Sequence, residues 1–157
     1  MYSVARVVGL LCLALVLAWG AARAGELAYV AGAYQGTAVL GKVIDGKPRD
    51  GQATAIRAEL EQKAQRLGGL LVVGADPKDQ IVLQINDGKV ESNGLWFQGD
   101  ELLWKVRFKG EFNHGRITGQ VIFTSQDPTK KLYGQSKVKD YKPTQLGGTL
   151  EMRRSSE

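Results

Sequence analysis

The sequence predicts an all-β domain: an antiparallel meander of eight or nine strands that closes into a small barrel. Three observations predict it. Apolar and polar side chains alternate with a period of two, turn residues punctuate that alternation, and a segment of hairpin size recurs along the chain. A chain of 157 residues has room for one such domain. With 43% hydrophobic and 24% charged residues it is neither disordered nor collagen-like.

The domain is preceded by a leader. Arg6 supplies a positive start, Val7–Trp19 is apolar throughout, and Ala22 and Ala24 occupy the two small positions of an Ala-x-Ala site. This is the pattern of a secretory signal peptide cleaved after Ala24. A retained membrane anchor is the competing reading. The run of 13 apolar residues falls short of the ~20 that span about 30 Å of hydrocarbon. Cys12 lies inside the run, after Leu10 and Leu11, where a lipid-attachment site does not fall. Cleavage removes Arg6, Arg23 and the single cysteine, leaving 19 basic and 16 acidic residues and a net charge of +3. A thiol-free mature chain suits export to a periplasmic or extracellular compartment. Residues 25–31 then form a linker, 32–154 the barrel and 155–157 a tail. The mild, scattered charge and the exported compartment exclude nucleic acid as a partner.

Nine segments read as strands, at about 33–43, 53–61, 66–73, 80–86, 89–98, 101–109, 116–125, 131–138 and 144–153. The clearest has Leu102, Trp104, Val106 and Phe108 on one face and Lys105, Arg107 and Lys109 on the other. Period-two alternation puts the first set inside and the second in water. Ile81, Leu83 and Ile85 follow the same rule, as do Ile117, Val121 and Phe123. Asp45-Gly46, Asp87-Gly88, Gly99-Asp100 and Asn113-His114-Gly115 mark the turns.

Residues 56–69 align with 106–119 at a constant offset of 50. A shorter echo ending in glycine recurs at Gly69, Gly119, Gly134 and Gly148, and a glycine at a fixed place in a strand lets a sheet bend sharply. The repeat bears on the ambiguous segment 53–67. Ile56, Leu60, Ala64 and Leu67 fall at helical spacing there. The partner segment carries Gly110 and Asn113-His114-Gly115, which no good helix tolerates. If the copies share a structure, both are hairpins and Gln62–Gln65 holds the first turn. Successive hairpins give a meander, and closure removes its exposed edges; an open sheet or a two-layer sandwich is the alternative.

In its two ends and its meander the chain resembles the calycin group, the lipocalins and fatty-acid-binding proteins. Gly32-Ala33-Tyr34 stands where lipocalins carry Gly-x-Trp, with Tyr in place of Trp. Arg153-Arg154 closes the last strand, where that group packs an Arg across the Trp; Arg154 shares the parity of Leu150 and Met152, so it can point inward. The resemblance implies a barrel whose apolar interior holds a hydrophobic small molecule.

The candidate interior ligand-binding residues are Tyr34, Trp96, Trp104, Phe108, Phe123 and Arg154. The aromatics equally suit a filled core, since eight-stranded barrels are often closed by side chains alone. Gly94, Gly119, Gly134, Ser136 and Gly148 read as small inward positions that either leave volume or allow curvature. Lys105, Arg107 and Lys109, with Lys137 and Lys139, form basic stripes on the outer faces, solvated by default and otherwise able to meet an anionic envelope component. These charged faces exclude an integral outer-membrane barrel, which turns apolar residues outward.

No catalytic residue stands out. The single histidine, His114, sits at a hairpin tip, where tolerance of a left-handed backbone explains it. No metal set, phosphate loop or nucleophile motif is present, so neither metal nor cofactor is expected. The expected function is non-enzymatic binding of an apolar or amphipathic molecule inside the barrel. The alternative is a closed-core interaction module that uses its basic outer face for a protein or cell-envelope partner.

Overall fold

A computed structural model describes residues 27–155; the expected leader and its expected cleavage site lie outside them. Eight strands form a closed antiparallel barrel in sequence order: β1 Gly32–Ile44, β2 Lys47–Lys63, β3 Arg66–Val73, β4 Ile81–Glu91, β5 Gly94–Asp100, β6 Trp104–Asn113, β7 Arg116–Ser125 and β8 Gln145–Arg154. β8 pairs with β1 from Tyr34↔Arg154 to Lys42↔Leu146, so no central edge is left unpaired. A single short helix, α1 (Pro128–Tyr133), interrupts the connection from β7 to β8.

The repeat is structural. Hairpin β2–β3 and hairpin β6–β7 have the same register, with Lys63↔Arg66 and Asn113↔Arg116 as equivalent closing pairs, 50 residues apart. Residues 53–67 are therefore strand, turn and strand, as the hairpin reading expects. At the second tip His114 (φ 47°) and Gly115 (φ 77°) both adopt the left-handed conformation of a tight hairpin turn. Ala64 takes φ 55° at the equivalent place in the first.

Inward side chains from all eight strands converge on one core that includes Tyr34, Ile56, Leu71, Leu83, Phe97, Val106, Phe108, Val121, Phe123, Leu150 and Met152. Their exposures lie between 0% and 2%. A water-accessible cavity among them would leave its lining atoms exposed, so the barrel is filled by its own side chains. The inward glycines serve this packing. A Cβ on Gly110 or Gly119 would fall 2.5 or 2.8 Å from Cζ of Phe108, whose ring occupies the space that the paired glycines leave. At Gly69, Gly119 and Gly148 a side chain would run into a carbonyl of the neighbouring strand (Glu59, Lys109 and Val39). Three of the four echoed glycines thus mark places where adjacent strands approach closely.

Three expectations are corrected. Residues 131–138 are no strand. Asp127 caps α1 by accepting from the Thr129 amide, Pro128 sits in the first turn, and Gly134 (φ 74°) ends the helix in a left-handed cap. Gly134, Ser136, Lys137 and Lys139 consequently belong to this connection, not to a barrel wall. Asp87-Gly88 is no turn either. It lies within β4, where the register slips by one residue between Ile85 and Asp87, and buried Gly88 faces Phe97. The turn falls at Ser92–Asn93 instead. Finally, residues 27–31, the described part of the segment expected as a linker, close one end of the barrel. Val30 is fully buried, its amide donates to Gln62 Oε1 at 2.7 Å, and Leu27 and Ala28 pack on the core.

Candidate functional site

Of the six interior candidates, Tyr34, Phe108 and Phe123 are buried in the core. Phe108 stacks on Phe97 with ring centroids 4.9 Å apart and planes at 22°. Phe97 escaped the sequence reading because Leu95, Trp96 and Phe97 are consecutive apolar residues, and either parity was open. Trp104 packs against the core from the rim, half-buried.

Trp96 is the residue that moves. Leu95, Phe97 and Gly99 face inward, so Trp96 points outward and is half-buried there. The Phe97–Phe108 stack fills the space that an inward indole would need. On the outer face Trp96 lies directly across from Lys89 of β4 and Lys109 of β6. Neighbouring strands stand about 4.8 Å apart, so the aliphatic stems of both lysines can lie along the indole while their ammonium groups reach water. The cross-strand row continues from Lys109 to Gln120, Thr149 and Val39.

The basic face adjoins this row. Arg107 stands between Gln98 and Ile122, and Lys105 between Asp100 and Thr124. A groove of about 170 Å³ runs past Asn86, Gln98, Lys105 and Arg107. Among the described residues Lys105, Arg107 and Lys109 have no carboxylate within ion-pair distance, whereas Lys89 reaches Glu91 at 3.4 Å. Beyond Gln120 the surface dips into a shallow cleft of about 580 Å³ whose lining includes Gln35, Thr37, Val39, Gln120, Thr149, Glu151 and Arg153. Arg116 donates to Glu151 at 2.7 Å, and this bond holds the Glu151 carboxyl below the usual carboxylate range. The result is one aromatic side chain, a set of cations and a cleft of mixed polar, charged and apolar lining on continuous barrel wall.

Arg154 sits at the closed end. Its guanidinium lies 5.6 Å from the Tyr34 ring centroid and 5.8 Å from that of Phe112. The Tyr34 hydroxyl donates to the Val30 carbonyl at 2.7 Å and accepts from Arg154. Arg154 therefore locks the barrel end and lines no interior space. His114 is exposed at its turn, and among the described residues no three His, Cys, Asp or Glu side chains gather as metal ligands.

Comparison of the chain with protein-family models, with curated proteins and with solved structures returned no match.

Proposed function

We propose that this chain is an exported, non-enzymatic barrel of the calycin plan, and that it holds an anionic component of the cell envelope on its outer wall around Trp96. The observation that carries the reading is the placement of Trp96 between Lys89 and Lys109, beside Arg107, on a wall whose interior is already full. A large aromatic ring left half in water on an outer wall is available to a partner, and aromatic and arginine side chains are the ones enriched at recognition surfaces. The calycin plan is supported by the Tyr34–Arg154 contact, which joins the first and last strands where the resemblance expects it. Conspicuous polar groups serve the fold: Asp127 caps α1, Glu151 pairs with Arg116, and His114 turns a hairpin.

The test is retention of the processed protein on envelope material stripped of lipid, at rising salt. Retention is expected to weaken with ionic strength and to be lost on Trp96→Ala and on charge reversal of Lys105, Arg107 and Lys109. Unchanged retention of both variants overturns the reading. Uptake of a fluorescent fatty acid by the processed protein overturns it in favour of a ligand inside the barrel.

A further inference from the structure

The connection between β7 and β8 carries apolar side chains that the core does not use. None of the residues of α1 is buried, and Leu132 and Tyr133 are 61% and 60% exposed. Val138 is exposed a few residues on. Yet the segment is firmly held. The Asp127 carboxylate accepts from the Thr129 amide and from the hydroxyls of Thr129 and Ser136. The Lys137 amide donates to Thr129 Oγ1, and Ser125 Oγ accepts from the Tyr141 hydroxyl and the Thr144 amide. A segment fixed in this way, with its apolar groups turned to solvent, is preorganised for something outside the molecule.

The β5–β6 turn joins it. The Gln126 amide donates to the Leu103 carbonyl at 2.6 Å, and Lys131 Nζ reaches both the Glu101 carbonyl and Asp100 at 2.7 Å. That turn takes in Leu102, which the alternation places inside but which lies ahead of β6, and exposes it together with Leu103. One end of the barrel thus presents leucines, a tyrosine and a valine from two tied segments.

The charge around them is positive. Lys130, Lys137, Lys139 and Lys142 have no carboxylate partner among the described residues. Of the acids at this end, Asp127 is buried in the cap, Asp100 pairs with Lys131, Glu101 accepts from the Leu103 amide within its own turn, and Asp140 is exposed. Lys137 lies 3.9 Å from the Tyr133 ring centroid, so the aromatic and the cation share one patch. Short apolar side chains, a tyrosine and surrounding lysines match the headgroup boundary of an anionic bilayer: the apolar groups enter the upper acyl region while the lysines meet lipid phosphates. A soluble polyanion would engage the lysines but leave the leucines in water.

We propose that this end of the barrel docks on the surface of an anionic lipid bilayer, through Leu132 and Tyr133 with Leu102 and Leu103, and with the lysines of the β7–β8 connection around them. The surface is separate from the Trp96 wall, and either can fail without the other.

The experiment is co-sedimentation of the processed protein with vesicles of phosphatidylcholine alone and of equimolar phosphatidylcholine and phosphatidylglycerol. Binding is expected only to the anionic vesicles. Leu132→Ser with Tyr133→Ser should abolish it, and Lys137→Gln or Lys139→Gln should each weaken it about fivefold. Trp96→Ala should leave it unchanged. All of these side chains are exposed or half-buried, and matching thermal melts verify that the variants fold. Absence of binding to anionic vesicles overturns the proposal. So does undiminished binding by the Leu132/Tyr133 variant, or loss on Trp96→Ala alone.

Discussion

The guanidinium of Arg154 bridges the hydroxyl of Tyr34, 3.1 Å from Nη2 and 3.3 Å from Nε, to the Tyr29 carbonyl, 2.9 Å from Nη2. The two residues are register partners across the β1–β8 seam. The same hydroxyl donates to the Val30 carbonyl, so one oxygen ties the segment before β1, the first strand and the last. Tyr34→Phe leaves the Val30 carbonyl and Arg154 without that partner. The expected cost is about 1–3 kcal/mol in urea unfolding; an unchanged midpoint would show that the bridge contributes nothing.

Burial raises the pKa of the Tyr34 phenol above 10.0, and the hydrogen bond and charge of Arg154 offset this only in part. The folded protein therefore holds this proton longer than the unfolded chain does. The stability so contributed is complete below pH 10 and is lost as pH rises through the folded value. Absorbance titration of phenolate should show a late component that disappears in Tyr34→Phe.

Ala64 holds φ 55° at the tip of the β2–β3 hairpin, where the second copy of the repeat has the His114-Gly115 turn. A Cβ in that region is strained, so Ala64→Gly should stabilise the protein by about 0.5–1 kcal/mol, while Gly115→Ala should destabilise it by a similar amount or more. Chemical denaturation of the two variants measures both signs.

Hydrogen bonds from the Ser136 and Thr129 hydroxyls are the main causes that lower the Asp127 pKa below 3.8. The Asp127 hydrogen bonds to Thr129 and Ser136 are therefore intact above the unfolded value and are released as pH falls through the lower folded one. Hydrogen exchange in residues 126–144 should accelerate at that acid limit, ahead of the barrel strands. Asp127→Asn should reproduce the loosening at neutral pH.

The strands of the second repeat copy were the most legible part of the sequence. In Trp104–Phe108 charged residues separate the apolar ones, so parity is unambiguous and the structure follows it. The repeat carried that clarity to residues 53–67, whose local spacing suits a helix as well. Trp96 was illegible for the opposite reason: three consecutive apolar residues fit both faces, and only the Phe97–Phe108 stack decides between them. Residues 131–138 misled because the glycine echo ends equally well at a helix cap. The stronger signal, Asp127-Pro128 ahead of Gly134, is a helix start and stop.

A filled interior and an aromatic, cationic outer wall make a sharp contrast in where a partner should register. The direct measurement is a titration of isotope-labelled processed protein with dextran sulfate, followed by amide and indole nuclear magnetic resonance. Recognition at the outer wall predicts shifts at the Trp96 indole and along Lys105–Lys109, with the amides of Leu71 and Leu83 unmoved. Shifts confined to those interior positions, or a silent Trp96 indole at saturation, would contradict it.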